Sequence, residues 1–533
     1  MSRTDAATNA APPVSPGDDP RAWIARRWFT PSGAAVAELR PGVEAVELFR
    51  RLARRRHCLF LDSAAIDGKA ELPAGGVPPP RLGRHSFVAA DPIHSVHVDP
   101  GGDGGDAERV AAAFAGVRTL LADLACPTIP GLPPFQGGVA GLVSYECGLA
   151  RLGIGPAPRT TGVPLLSLHV YDVVCCFDHD AGRGWIISQG VPAQGPAARR
   201  VRAEERLDAL VAGLASADAA AIPTDSAPPT TPATGRHVLA EHHVSGLGAI
   251  VSTQSPSTYV DMVRSCIELI RAGDIFQANL AQQLALAAVI DPVELHLRGR
   301  ALNAAPFAAS FHAGAATIVS MSPERLLQAE RGTVRMHPIK GTRRVLASPE
   351  ADLYAGEDLE ASEKDRAENV MIVDLVRNDL SRVCTPQSVR VDALCRLERY
   401  RYVQHLVSIV SGRLRPGSTA LDALEAAIPG GSVTGAPKHR ACEIIESLEG
   451  FRRGAYCGSL GYLGFDGAAD FNLLIRTFVV EPGLISFAVG GGITARSDPA
   501  AEYAETLHKA EGMLRVLASF GTSSPPRPAE AAP

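Results

Sequence analysis

The sequence predicts an α+β fold built on large antiparallel sheets, and three observations carry that expectation. Over residues 259–272 the apolar Tyr259, Val263, Cys266, Ile267 and Ile270 recur at helical spacing, and Gly273 follows as a stop. The chain then runs directly into IFQANLAQQLAL, where Phe276, Ala278 and Leu280 alternate with Gln277, Asn279 and Gln283. That alternation predicts a strand with one apolar face and one amide face, and buried amides require a site or water. Finally, no period of about 20 to 50 residues emerges along the chain, which excludes a solenoid or propeller.

Taken in order, residues 1–20 are rich in Ala, Pro, Asp and Ser, without helical or strand periodicity, and are expected to be a tail. Residues 21–215 read as strands separated by turns, for example CLFLDSAA, RHSFVAADP and VAGLVSYECG, with a helical run over 107–124. A Pro/Thr-rich stretch, ADAAAIPTDSAPPTTPATG, opens a segment over 216–255 that reads as a linker or loop. Residues 256–518 mix both element types, and 519–533, ending SSPPRPAEAAP, read as a second tail.

Composition narrows the function classes. With 533 residues, 46% of them hydrophobic and 20% charged, the chain is globular and long enough to bury a large core. Its net charge of −5 and the lack of a basic stripe with interleaved aromatics exclude nucleic acid as the expected partner. Ten cysteines occur with no C-x-x-C pair, and Cys175 and Cys176 sit in an apolar run, so reduced, buried thiols of a cytoplasmic protein are expected. No stretch approaches the roughly 18 apolar residues of a membrane helix, and the N-terminus lacks a charged start followed by a long apolar core.

The common nucleotide and hydrolase signatures fail. GGSVTGAPK lacks a G-K-[ST] ending, VGGGITA lacks G-x-G-x-x-G spacing, and neither H-E-x-x-H nor G-x-S-x-G occurs. Acidic residues are more informative. In KDRAENVMIVDLVRNDLSRV, Asp365 and Glu368 are three apart and share a helix face. In the final helical run Glu502, Glu505 and Lys509 share a face, while Tyr503, Leu507, Ala510 and Leu514 form an apolar stripe. Two carboxylate pairs on two helices are what a hard cation such as Mg²⁺ needs, although solvated charged faces are commoner.

The remaining candidates have ordinary readings when taken singly. Lys340 in HPIKGTRR lies between a strand and a Gly turn, where lysines are usually solvated, and Glu324 in MSPERLL follows a proline at a strand end. His405 alternates with Val403 and Val407 on a strand, the setting of a packed, hydrogen-bonded histidine. A helix is predicted to begin near Pro437, where free N–H groups suit an anion, and Gly490, Gly491 and Gly492 permit close backbone approach.

Together, GDIFQANLAQQ, NAAPFAASF, SPERLL, PIKGTRR, AENVMIVDLVRNDLSRV, GGSVTGAPKHRACEIIESLEG, YCGSLGY, NLLIRT and VGGGI, in this order, resemble the chorismate-utilising enzyme family. The resemblance is strong over residues 256–517 and weaker through LFLDSA, PPFQGGVAGLVSYE and VYDVV. It implies a single large domain of two packed antiparallel sheets wrapped by helices, with chorismate between the sheets and its ring carboxylate on Mg²⁺. The matching metal positions are Glu368 and Glu505, with Asp365 and Glu502 close behind. The matching substrate positions are Gln277, Gly341, Thr342, His405, Ser432, Thr434, Tyr456, Arg476, Gly490, Gly491, Gly492 and Lys509. A remote tryptophan pocket is matched in part by Ser63, Arg84, His85, Pro306, Phe307 and Ala308, with Leu82 and Gly83 departing from the pattern.

Within that family, water-adding members resemble one another in carrying a lysine where this chain has Gln277, and an amide is no base at neutral pH. Anthranilate synthases read P-I-A-G-T where this chain has Lys340, and the lysine marks the aminodeoxychorismate synthase branch. The implied reaction uses Lys340 as nucleophile and Glu324 as acid/base, with ammonia from a separate glutamine amidotransferase subunit. Its product would be 4-amino-4-deoxychorismate, the precursor of 4-aminobenzoate and folate. The rival expectations are an anthranilate synthase component I and a non-catalytic chorismate- or tryptophan-binding regulatory subunit.

Overall fold

Helix-to-strand alternation is realised directly. Ser255 accepts the Thr258 N–H, Pro256 opens the first turn of the Pro256–Ala272 helix, and left-handed Gly273 (φ +89°) ends it. The Gln277–Leu286 strand follows at once. These coordinates are a computed structural model that describes residues 19–63, 82–101, 105–155, 162–215, 237–244, 247–345, 356–399 and 403–521. The expected tails therefore fall almost wholly outside the described residues, as does 216–236.

The strands form two antiparallel sheets. The larger runs Ile24–Phe29, Ala35–Leu39, Arg183–Ser188, Val173–Asp178, His85–Ala89, Leu59–Asp62, Phe307–His312, Thr317–Ser322, Thr477–Glu481, Leu484–Ile493, Gln277–Leu286, Gly248–Ser252 and His237–Val244. The smaller runs Ile339–Arg344, Val403–Arg413, Thr333–His337, Arg325–Glu330, Ala469–Asn472, Ser459–Gly464, Gly138–Val143, Leu166–Tyr171 and His94–Val98. Both sheets draw strands from both halves of the chain: Leu59–Asp62 pairs Phe307–His312, and Gly138–Val143 pairs Ser459–Gly464. Neither half could close its sheets alone, so the chain folds as one α+β domain.

Between the sheets lies a core to which each contributes, including Phe87, Phe311 and Ile318 from one and Leu142, Leu460 and Tyr462 from the other. Phe135 stacks on Tyr462 at 4.4 Å between ring centroids, and Phe87 meets both edge-on at 5.7 Å. Full burial of each such ring contributes about 1.5–3 kcal/mol. Helices cover the outer faces, among them Asp106–Asp123, Glu363–Ser381 and Ala420–Ala427 over the smaller sheet and Pro499–Gly521 over the larger.

Four expectations need correction. VAGLVSYECG is a strand only through Val143, because the Ser144 hydroxyl accepts the Cys147 N–H and starts the Tyr145–Leu152 helix. The 216–255 segment is not all linker: His237–Val244 and Gly248–Ser252 form an antiparallel hairpin on the edge of the larger sheet. The last helix extends past 518 to Gly521, and although Tyr503, Leu507, Ala510 and Leu514 do pack on the core, its fully buried row also takes in Glu502, Thr506, Met513 and Leu517, so Glu502 is not on a solvated face. Phe276, placed on the apolar face of its strand, lies just before that strand and is 68% exposed.

All ten cysteines are buried and free. Among the described residues no helix is long and apolar enough to cross a membrane.

Candidate active site

The amide strand and the glycine strand lie side by side. Asn279 pairs Gly492, Leu280 pairs Gly491, and Ala281 pairs Gly490 in the antiparallel ladder. The three glycines do different things. A Cβ on Gly490 would stand 2.5 Å from the Leu280 carbonyl, so that position serves close strand packing. A Cβ on Gly491 would come 3.2 Å from Glu502 Oε2, 3.7 Å from Lys509 Nζ and 3.8 Å from Glu505 Oε1. On Gly492 it would come 3.5 Å from Lys340 Nζ and 3.9 Å from Glu368 Oε2. Lack of side chains on two adjacent residues thus lets three carboxylates and two ammonium groups crowd around the end of one strand.

Lys340 is aimed by a bulge. In the ladder with Val403–Arg413, Lys340 faces Leu406 and Thr342 faces His405, which leaves Gly341 as the extra residue. Gly341 has φ +81°, and a Cβ there would stand 2.8 Å from Leu359 Cδ1 and 3.1 Å from Asp365 Cβ. Both the backbone and the space demand glycine. Burial lowers the pKa of the Lys340 ammonium, and Lys509 adds to this, while Glu368, Glu324 and Glu505 oppose it. The Thr342 side chain lies outside the described residues.

Glu324 is buried in the link between Thr317–Ser322 and Arg325–Glu330. Its N–H donates to Ser322 Oγ at 3.2 Å, and its carbonyl accepts the Leu473 N–H at 3.0 Å. Its carboxylate accepts the Ser432 hydroxyl at 2.7 Å. Burial pushes this carboxyl up to about 7 against the pull of Ser432, Lys340 and the Ile339 backbone. One wall therefore carries both an acid that keeps its proton to neutrality and an amine that sheds its proton more readily than usual.

The carboxylates near the glycines are held in a strained balance. Burial raises the pKa values of Glu368 and Glu502, and each feels other carboxylates nearby. Burial also acts on Glu505, yet Lys509 at 2.8 Å brings it below its ordinary range. Among the described residues, no three Asp, Glu, His or Cys side chains are gathered closely enough to hold a metal ion. The donor chemistry nonetheless suits a hard cation, since all the donors are oxygens and two resist ionisation without a counter-charge. Asp365 is engaged elsewhere, with Arg343 at 3.6 Å and its own N–H on the Ser362 cap.

Arg476 has a left-handed backbone (φ +51°), and its carbonyl accepts the Met321 N–H. Burial alone lowers the pKa of its guanidinium. Nearby, burial and then the Arg476 charge push His405 down to about 3, so that imidazole is neutral and bonds the Gly341 backbone. Gln277 is 2% exposed, and its Oε1 has no hydrogen-bond partner among the described residues; the Asn279 Nδ2 likewise has none. The orphaned Asn279 amide donor and the desolvated guanidinium suit an anionic group, and the orphaned Gln277 oxygen suits a hydrogen-bond donor.

Other expected contacts are spoken for by the protein. The Thr434 hydroxyl bonds the Gly430 carbonyl at 2.9 Å, and Lys509 also donates to the Gly490 carbonyl at 2.9 Å. Tyr456 is buried beside Asn279. Sequence reading missed Arg453, which is treated below, and Lys364, whose charge acts on Glu368, Glu502 and Glu505. A buried arginine three residues before Tyr456 carries no local motif that would have singled it out.

The second group expected from sequence is brought together only in part. The Ser63 hydroxyl donates to the His85 carbonyl at 2.6 Å, and Ala308 pairs Asp62, which sets Phe307 opposite Ser63. Burial pushes His85 down to about 4. Pro306 is buried next to them. Arg84 instead forks onto Asp178 at 2.7 and 3.1 Å.

A proton-holding glutamate, a deprotonation-prone lysine and a desolvated guanidinium on two antiparallel sheets are the equipment of an enzyme for an anionic small molecule. A family model described as chorismate binding enzyme matches residues 80–515. Anthranilate synthase component 1 of Streptomyces coelicolor is 39% identical over 449 residues, covering 82% of this chain and 81% of that protein. The protein of the same name from Thermus thermophilus is 38% identical, covering 73% and 79%. Among solved structures, anthranilate synthase component I from Streptococcus pneumoniae superposes with a TM-score of 0.65 at 29% identity, covering 84% of this chain and 95% of that one. The menaquinone-specific isochorismate synthase of Escherichia coli shares the fold at 18% identity and a TM-score of 0.63. The chain belongs to the chorismate-binding enzyme family.

Proposed function

We propose that this enzyme aminates chorismate at C4 through a covalent Lys340 adduct, giving 4-amino-4-deoxychorismate. The observation that carries the reading is the Lys340 amine, set by the Gly341 bulge against Gly492 and Glu368 in a wall shared with Glu324. The Lys340 nitrogen attacks C2 as the C4–oxygen bond breaks, the ring double bonds shift, and Glu324 gives its proton to the departing hydroxyl, which leaves as water. Ammonia then bonds to C4, and the electron pair returns through the ring to expel the Lys340 amine. Arg476 is the proposed partner of a substrate carboxylate. Glu368 and Glu505, with Asp365 and Glu502 close behind, are the proposed holders of a divalent ion, which would neutralise the other carboxylate.

A second reading, amination at C2 to give anthranilate, is favoured by the relatives, since three of the four similar proteins named above are called anthranilate synthases. On names alone it stands ahead of the first. Incubation with chorismate, Mg²⁺ and ammonium, followed by product mass and fluorescence, separates the two. A 4-amino product supports the lysine reading, and anthranilate from the unaltered enzyme overturns it.

Glu324 supplies a pH test. Because its acid form is the working form, Glu324 is expected to set the basic limb of kcat/KM near pH 7, with a fall of about tenfold per unit above it, while protonation of the Lys340 amine sets the acid limb. Glu324→Gln should remove that limb and lower the rate by about 10²- to 10⁴-fold. The same raised pKa means the folded state binds this proton more tightly than the unfolded chain. Its contribution to stability is therefore full at low pH and is lost as pH rises towards 7.

Ammonia is proposed to come from a separate glutamine amidotransferase, because none of the ten buried cysteines offers an accessible thiolate. The purified chain is expected to turn over with ammonium salts and not with glutamine. Glutamine-dependent turnover by a homogeneous sample would remove the partner from the scheme.

A further inference from the structure

Arg453 is 2% exposed and lies between the Lys438–Glu449 helix and the Ser459–Gly464 strand. Its guanidinium makes five hydrogen bonds: Nε and Nη2 to the two Glu449 oxygens at 2.9 and 2.6 Å, Nη1 to the Val433 carbonyl at 2.9 Å and to Cys457 Sγ at 3.4 Å, and Nη2 to the Asn279 carbonyl at 2.6 Å. The ring of Tyr456 lies 5.6 Å from it. Burial opposes its charge, yet Glu449 keeps it firmly protonated.

What the pair does is visible along the amide strand. Gln277 and Ala278 have Ala436 and Gly435 as strand neighbours, and Leu284 and Ala285 have Ser252 and Val251. Between those stretches, on that edge, the Thr434 carbonyl takes the Asn279 N–H and the Thr253 N–H donates to the Gln283 carbonyl, and in the middle two side chains fill in: Arg453 donates to the Asn279 carbonyl and Glu449 accepts the Ala281 N–H at 2.7 Å. The same guanidinium holds the Val433 carbonyl, in the turn whose Ser432 hydroxyl reaches Glu324.

A buried ion pair is weak as a source of stability, because desolvating both charges offsets much of their attraction. Its geometric consequence is larger, for it fixes two substrate-facing backbones at once. We infer that the Arg453–Glu449 pair is the positioning device of the active site, registering the Ser432 turn onto Glu324 and the amide strand against the glycine strand. The inference rests on the reading of Glu324 as the reacting acid. Arg453 touches no substrate and acts through Ser432 and Asn279.

Arg453→Lys keeps the charge but not the fork that spans Glu449, Val433 and Asn279. It is expected to remain folded, to lower kcat about 10- to 100-fold through misalignment with little change in KM, and to move the basic limb of kcat/KM to higher pH. The limb moves up because the Ser432 hydroxyl, which stabilises the Glu324 carboxylate, is no longer held on it. Ser432→Ala should move the limb in the same direction, and the double variant should move it no further than the larger single shift. Glu449→Gln, which keeps an acceptor for Ala281, is the second variant should Arg453→Lys fail to fold. Its limb should shift as well. A lowered melting temperature with the limb unmoved in the folded variant overturns the inference. If Glu324→Gln leaves the limb of the otherwise native enzyme in place, the reading of Glu324 fails instead, and the two failures are told apart.

Discussion

Lys340→Ala is expected to lower formation of the 4-amino product by about two or more orders of magnitude, the scale of losing a nucleophile or general catalyst. The reason lies in what the side chain occupies. With the amine in place, the enzyme itself makes the first bond at C2, and ammonia is left only C4. Alanine opens space beside C2 and leaves the Gly341 bulge, Glu324 and Arg476 where they were. Some ammonia is then expected to enter at C2, so the slow residual product should be partly the 2-amino compound. Trapping the unaltered enzyme during turnover should give an adduct on Lys340 by mass spectrometry. A variant making the 4-amino product at an unchanged rate would make this lysine a bystander.

Glu368→Ala and Glu505→Ala should each abolish turnover, as should excess chelator with the native enzyme. Glu368 sits beside Lys340, and Glu505 reaches the same strand end from the opposite helix. One lost carboxylate leaves a hard cation under-coordinated beside a dianionic substrate. Both side chains are partly exposed, so folding should survive, and an unchanged melting temperature would separate ligand loss from collapse. Burial is what raises Glu368, and its removal should stabilise the fold slightly if it does anything. Full activity in chelator would dismiss the metal assignment.

How much of this was legible in the sequence depended on how local the signal was. The Pro256–Ala272 helix announced itself through its spacing and its Gly273 stop, and the amide strand through alternation, because both depend on near neighbours. Phe276 failed because one residue decides whether a side chain belongs to a strand or to the turn before it. Glu502 was grouped with Glu505 and Lys509 on the charged face of its helix, yet it alone of the three is buried, because Gly491 leaves room for it to tuck against the sheet, a long-range fact with no trace in helical period. Arg453 was invisible for the same reason: its partners Asn279, Val433 and Glu449 come from three separate elements. Glu324 and Lys340 were found through the family resemblance, since each alone reads as an ordinary surface residue.

The bulge at Gly341 also bears on how such an enzyme changes over time. A residue set in a regular ladder is constrained by cross-strand neighbours above and below it, so replacing it disturbs several contacts at once. Lys340 is held on one flank only: Ile339 and Val407 pair before it, while on its other side the extra residue Gly341 absorbs the local bend and the ladder resumes at Thr342 and His405. The position behaves as a socket: its occupant can be exchanged while the sheet, the acid and the guanidinium stay put. On the proposed role of Lys340, a lineage could move between one aminated product and another by altering a single side chain, with the rest of the scaffold inherited intact.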